Sequence, residues 1–405
     1  MAGRSDTSTF GILIGSGDIL NLVRSRPGGL TKTELSELTG LSRTTINQRL
    51  EPLVGAGLLV ASVDEARTGG RPADRFSLDE RYGVVLVADM GASGLRVALC
   101  DMNAQIRAEQ AELSDVAAGP RPVLDRVADL FDALLGSVGL EAGAVRGVGI
   151  DVPGPVDHAT GRVITPPIMT GWHDFDIVGH INERFDCPVV VEKDTNAMAF
   201  GEHRLSYPDV ADFVFVKIGT GIGTGIIVEG QIYRGADGAA GDVGHIQIDD
   251  DDQREQPLCK CGRFGCVEAY AGGWALLRDL REAGVPVESV GDVVRVTREG
   301  HPEATRRYRR ASMILGKAVS DVVNVLNPRI VVIGGQLAEI DDVLFATVRE
   351  VVYRRSLPLA TRRLQIVPSG LGSRGAGVNG LARLVLDHVY RPSRVDGLLA
   401  RIQPG

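Results

Sequence analysis

Apolar positions recur at helical spacing over residues 17–60 and as strand-like runs beyond residue 82, so the chain carries two successive patterns. Asp18 to Arg26 predicts a short helix ended by Pro27, Gly28 and Gly29. Thr31 and Glu34 form a capping pair for a second helix, whose buried face is Leu35 and Leu38 and whose stop is Gly40. Ser42 caps a third helix, with Ile46, Leu50 and Leu53 pointing inward. Leu58 to Val63 and Arg75 to Leu78 read as strands on either side of Arg67-Thr68-Gly69-Gly70-Arg71-Pro72. Three helices followed by a hairpin make a winged helix-turn-helix.

From Tyr82 onward apolar strands alternate with helices, the pattern of an α/β domain. Val84 to Asp101 and Phe213 to Gln231 each read strand, glycine-rich turn, strand. This loose repeat predicts a duplicated pair of lobes with a cleft between them. Ile330 to Gly335 is another strand running into glycines, and Ser369 to Gly380 a third glycine-rich turn leading into a final helix. The expected organisation is a winged helix over 1–80, a first α/β lobe over 83–200 and a second over 201–390, with the final helix returning to the first lobe. Residues 391–405 form a tail with no strong signal.

Charge sharpens this division. The 405 residues carry a formal net charge of −8, which argues against non-specific binding of polyanions by the whole molecule. Residues 1–81 are themselves balanced, so nucleic-acid contact has to come from a local patch in that segment. No window reaches the length of a membrane span, and Phe10 to Ile14 is too short for a signal peptide, so a cytoplasmic location is expected.

The third helix leaves Arg43, Thr44, Thr45, Asn47, Gln48 and Arg49 outside. Arg suits guanine, Asn or Gln suits adenine, and Thr suits phosphate or a methyl group, so duplex operator DNA is the expected partner. Arg71, between Gly70 and Pro72, sits on a narrow backbone suited to a minor groove. A homodimer or higher homo-oligomer is expected, because one small winged helix makes few phosphate contacts.

Three of the five cysteines, Cys259, Cys261 and Cys266, fall within eight positions, and His245 lies upstream. Three thiolates and an imidazole satisfy tetrahedral zinc with a closed shell, which predicts one structural ion per chain. Asp249 to Asp252, in the intervening segment, reads as a solvated acidic run. Asp194 follows an apolar strand and opens a helix, where it can serve as a cap or as a general base toward a substrate hydroxyl. The glycine-rich turns at 89–94 and 219–225 offer backbone N–H groups to phosphates.

With Gly241-Asp242-Val243-Gly244-His245 and the Cys259-Lys260-Cys261-Gly262-Arg263-Phe264-Gly265-Cys266-Val267-Glu268 run, the chain resembles the ROK family of repressors and sugar kinases, in its winged-helix regulator branch. The resemblance implies an actin-like, hexokinase-type fold, with zinc held by His245 and the three cysteines. It implies sugar contacts at Gly161, Asp194, Asp242, His245 and Glu268, and phosphate elements at Asp89, Gly91, Ser93, Gly219, Thr220 and Gly221. Three positions depart from the kinase pattern: Lys193 replaces Asn, Asp242 replaces Glu, and Ala92 adds a Cβ in the first phosphate turn. Lys193 is expected to pair with Asp194 and weaken it as a base. Ile168 and Met169 stand before Trp172, where related kinases place polar sugar contacts.

The leading expectation is a transcriptional regulator that senses a small sugar or sugar phosphate. The alternative is an ATP-dependent kinase of a hexose or amino sugar, with Asp194 as base and ATP and Mg as cofactors.

Overall fold

The computed structural model describes residues 14–26, 28–63, 74–248 and 256–402, which fall into two compact units. Arg71 and Asp249 to Asp252 lie outside the described residues.

The first unit begins with α1 (Ser16–Arg24), β1 (Leu30–Thr31), α2 (Lys32–Thr39) and α3 (Arg43–Gly55), then β2 (Leu59–Val63) and β3 (Asp74–Leu78). The three strands form an antiparallel sheet in the order β1-β3-β2. Thr31 N–H donates to Glu34 Oε2 at 2.7 Å and Glu34 N–H donates to Thr31 Oγ1 at 3.3 Å, so the capping pair satisfies two orphan amides of α2. Gly40 ends that helix in the left-handed region at φ 71°. Ile19, Leu20, Leu35, Ile46, Leu50 and Leu53 supply the buried core.

The second unit opens with β4 (Val84–Met90), β5 (Gly94–Asp101), β6 (Ile106–Leu113), α4 (Pro120–Ser137) and β7 (Val145–Val152). A small hairpin of β8 (Val156–Asp157) and β9 (Arg162–Val163) follows, then α5 (Ile177–Asn182), β10 (Val189–Lys193) and α6 (Asp194–Ser206). Next come β11 (Phe213–Ile218), β12 (Ile222–Val228) and β13 (Gln231–Ile232), then α7 (Val267–Ala271), α8 (Gly273–Glu282), α9 (Val290–Arg298) and α10 (Pro302–Leu326). The unit closes with β14 (Ile330–Gly334), α11 (Val343–Arg355), α12 (Pro358–Thr361), β15 (Gln365–Pro368) and most of α13 (Gly372–Val389).

Its two five-stranded sheets run β6-β5-β4-β7-β10 and β13-β12-β11-β14-β15. Counted within each sheet, both orders are third, second, first, fourth, fifth. The sequence repeat is therefore the opening strand pair of each sheet, β4–β5 and β11–β12. Helix α13 crosses α6 so closely that a Cβ on Gly380 would stand 1.8 Å from the Ala197 carbonyl oxygen, and its Leu381 and Val385 lie against Gly149 of β7. The final helix thus packs on the first sheet, and both sheets' strand ends stay free to line a cleft.

The tail differs from its sequence reading. Pro392–Ile402 is a helix, α14, and it belongs to the first unit with residues from Leu386 onward. Asp396 Oδ1 accepts from the Gly17 N–H of α1 at 2.9 Å, and Asn21 Nδ2 donates to the Tyr390 carbonyl at 2.8 Å. Arg24 donates to the Leu386 carbonyl and pairs with Asp387. Val395 and Leu399 are buried. Val395, Leu398, Leu399 and Ile402 are spaced for one helical face, but Gly397 in the middle dilutes the local signal, and the packing against α1 supplies the rest.

Val395→Asp buries an unpaired carboxylate against α1 and should lower the stability of the first unit by about 2 kcal/mol or more, whereas exposed Arg401→Ala should leave it within about 0.5 kcal/mol. Denaturant titration of the full chain measures both.

Candidate ligand cleft and metal centre

Three consecutive charged residues, Glu192 and Lys193 at the end of β10 and Asp194 at the start of α6, are all buried. Each pairs with a residue contributed by the second sheet or the loop after it. Arg234 donates to Glu192 Oε2 from Nε at 2.9 Å and from Nη2 at 2.5 Å. The Lys193 ammonium donates to Asp242 Oδ1 at 2.5 Å, and the Lys217 ammonium donates to Asp194 Oδ2 at 2.5 Å. Asp194 Oδ1 also accepts the Thr195 N–H at 2.6 Å.

The expected Lys193–Asp194 pair therefore does not form. Neighbours at a strand end point to opposite sides, so Lys193 reaches Asp242 while Asp194 opens α6 and meets Lys217 from β11. Asp194 is engaged, as anticipated, but by a partner 23 positions downstream.

Asp194 faces a cleft of about 910 Å³ between the two sheets of the second unit. The cleft gathers most of the sequence-selected residues. Asp194, Asp242, His245 and Glu268 line it, together with Asp89, Gly91 and Ser93 and with Gly219, Thr220 and Gly221. Gly161 is not among the lining residues; it sits in the β8–β9 turn, where its Cα faces Val178 and Val191. Ile168 lines the cleft, whereas Met169 is buried beneath Gly154. Trp172 is fully buried and donates its indole N–H to the Val116 carbonyl at 2.9 Å.

Glu268, in the first turn of α7, ties the second glycine turn in place. Its Oε2 accepts the Ile222 N–H at 2.8 Å and its Oε1 the Trp274 indole N–H at 3.1 Å. A Cβ on Gly221 would stand 2.4 Å from Glu268 Oε2, so only glycine lets this carboxylate reach the turn.

Two participants escaped the sequence reading. Asp151 of β7 is fully buried, and its Oδ1 accepts the Met90 N–H at 3.0 Å. Burial, then repulsion from Asp89 and Asp194, pushes its carboxyl well above the usual range. Burial likewise raises Asp89, against the opposing pull of Lys217. Burial opposes the charge on Lys217, yet attraction to Asp194, Asp89 and Asp151 prevails and holds its ammonium above the ordinary value. The available signal was a charged residue inside each of two apolar runs, VGIDV and FVFVKI.

His245, Cys259, Cys261 and Cys266 converge, with one ligand atom from each lying within 4.8 Å of the others. Cys259 Sγ is 3.7 Å from His245 Nδ1, and Cys261 Sγ is 3.7 Å from Cys266 Sγ. This donor set can hold a metal ion. On α3 of the first unit, Arg43, Thr44, Asn47 and Gln48 are exposed, and Thr45 and Arg49 are half-buried. Ser42 caps that helix by accepting the Thr45 N–H at 3.2 Å.

The raised carboxyls of Asp89 and Asp151 mean that the folded chain holds protons the unfolded chain has released. Their contribution is therefore present at low pH and is lost as pH rises through the raised values. Asp151→Asn keeps the acceptor for Met90 and removes the charge. Its thermal midpoint should exceed that of the parent by ~2 °C or more at pH 8, a gain that shrinks toward pH 5, as scanning calorimetry at both values would show.

Residues 85–388 match the ROK family model and residues 17–60 a winged helix-turn-helix DNA-binding model. A xylose repressor of Bacillus spizizenii is 27% identical over 89% of this chain and 91% of its own length. The DNA-binding transcriptional dual regulator NagC of Escherichia coli is 25% identical over 86% and 87%. A solved ROK family transcriptional regulator, described as a homologue of the E. coli MLC protein, superposes with a TM-score of 0.77 at 26% identity, covering 95% of this chain and 97% of that one. A ROK family glucokinase from Streptomyces griseus, in complex with glucose and AMPPNP, gives a TM-score of 0.63 at 26% identity over 75% of this chain and 99% of its own. The chain belongs to the ROK family.

Proposed function

We propose that this protein is a sugar-responsive transcriptional regulator, binding duplex operator DNA through α3 and a small sugar or sugar phosphate in the cleft. The observation that carries this reading is the extent of the likeness: the sugar repressors are matched across nearly their whole length, winged helix included, whereas the glucokinase covers 75% of this chain. Chemistry favours the same side. A general base for phosphoryl transfer needs a free carboxylate, and Asp194 is bound to the Lys217 ammonium. The kinase alternative therefore has the weaker support.

In this reading α3 presents Arg43, Asn47 and Gln48 to base edges and Thr44 to phosphate, with Thr45 and Arg49 beside them and Arg71 as a minor-groove contact. The chain acts as a homodimer on a two-fold operator. In the cleft, Asp242 and Glu268 offer carboxylate acceptors to sugar hydroxyls, and His245 offers its Nε2–H as a donor. Ligand alters DNA affinity only if it binds the two states of the regulator with different strength.

The metal is zinc. Zn–S bonds of about 2.3 Å and a Zn–N bond of about 2.0 Å imply tetrahedral edges of ~3.8 Å between two sulfurs and ~3.5 Å between sulfur and nitrogen, close to the 3.7 Å of Cys261–Cys266 and of Cys259–His245. His245 Nδ1 faces the thiols, which leaves Nε2 for a ligand. Four protein ligands close the shell, so the ion would brace the loop that leads into Glu268.

The test is selection of duplexes from random DNA, followed by binding at fixed salt with and without a sugar panel; selection of no sequence would refute the regulator. Arg43→Ala should weaken the selected duplex by about 1–3 kcal/mol, or five- to over a hundredfold, with the sugar-induced thermal shift unchanged. Elemental analysis should find about one zinc per chain in protein purified without chelator, and Cys266→Ser should lose it.

A further inference from the structure

The polar residues make up only part of the cleft's lining. Pro153, Pro155, Pro166, Pro167 and Ile168 line it as well, and the four prolines have no backbone N–H to offer. Each of the five is half-buried or exposed, so their apolar surface is open to the cleft.

Two segments build this wall and hold each other in place. The Ile164 N–H donates to the Pro155 carbonyl at 3.0 Å. A Cβ on Gly154 would stand 3.0 Å from Met169 Sδ and 3.1 Å from the Pro166 Cβ, so the segments are in direct contact. The proline rings fix the backbone beforehand, and little ordering entropy is lost when a ligand binds. The wall also adjoins the polar end of the cleft. Val152, immediately before Pro153, is the register partner of Lys193 between β7 and β10, and the Lys193 ammonium holds Asp242. A Cβ on Gly238 would stand 2.2 Å from the Val156 carbonyl oxygen, so the chain leading to Asp242 rests on β8.

We propose that Pro153, Pro155, Pro166, Pro167 and Ile168 form an apolar subsite for the alkyl or aryl aglycone of a glycoside whose sugar ring lies against Asp242. This rests on the sugar-responsive reading and names the class of its effector: a glycoside in place of a free sugar. A free sugar carries hydroxyls all round. Any hydroxyl turned to the pyrrolidine rings and the Ile168 side chain would lose water without gaining a partner. An apolar aglycone is stabilised by burial at the same place. The cleft's size agrees, since about 910 Å³ lies in the upper part of the roughly 300–1,000 Å³ of sites for drug-sized ligands.

The experiment measures, by titration calorimetry on full-length protein purified without chelator, the binding of matched methyl and phenyl glycosides. The panel covers aldopentoses, aldohexoses and N-acetylhexosamines in both anomers, with phenol and unsubstituted disaccharides as controls. At least one sugar should bind about tenfold or more tighter as its phenyl than as its methyl glycoside, with phenol alone not binding. Ile168→Asn should remove most of that advantage while methyl glycoside affinity stays within about twofold, and Ile168→Val should keep the advantage. Should Ile168→Asn fail to fold, Pro167→Ser, at an exposed position, takes its place. Equal affinity for the two glycosides of every sugar, binding of neither, or a preference untouched by the Asn and Ser variants would overturn the proposal. So would a preference reproduced by phenol alone, or a disaccharide that binds more tightly than any phenyl glycoside. A phenyl preference without any selected DNA would remove the regulator reading and leave the subsite. A DNA response to free sugars without that preference would remove the subsite and leave the regulator.

Discussion

The second unit depends on the ion pairs made by Glu192, Lys193 and Asp194. Three adjacent buried charges at a strand-to-helix junction are tolerable only if each finds an opposite charge, because an unpaired buried ion costs several kcal/mol. Arg234, Asp242 and Lys217 meet that demand, and all three come from β11 or the chain after β13. The same requirement that keeps the residues from destabilising the fold also fixes the two sheets' contributions to the cleft. The charges that stabilise the strand end also line the cleft, so a change at Asp194 or Lys217 alters both.

The loop that carries the His/Cys cluster extends this arrangement. Cys266 immediately precedes α7, and Glu268, in that helix's first turn, hydrogen-bonds to the Ile222 amide of the second glycine turn. His245 follows Asp242 by three positions, and Asp242 is held by Lys193. The His/Cys cluster, the cleft-lining carboxylates and the glycine turn are thus linked through short covalent and hydrogen-bonded steps, each of which restricts the next. Such support is what holds polar groups within the narrow tolerances that ligand recognition needs.

In the first unit the winged helix is completed by residues more than three hundred positions away. Asp396 and the Tyr390 carbonyl satisfy groups on α1, and Val395 and Leu399 bury apolar surface that a domain of this size has difficulty providing alone. The exposed face of α3 remains free of these contacts.

What the sequence determined by itself was whatever depends on neighbours along the chain. The capping pair Thr31–Glu34, the Gly40 stop, the apolar face of α3, the strand–turn–strand repeat and the H-x13-C-x-C-x4-C spacing were all legible, because period, caps and ligand spacing are local properties. The convergence of Asp194, Asp242, His245 and Glu268 on one cleft followed from the family resemblance rather than from spacing. Tertiary structure alone decided the rest. It exchanged the lysine partner of Asp194, set Gly161 in the β8–β9 turn, buried Asp151 beside β4 and gave the tail a helix. In each case the deciding energy comes from burial and charge pairing between segments far apart in sequence, and a linear pattern does not specify which distant charge will arrive.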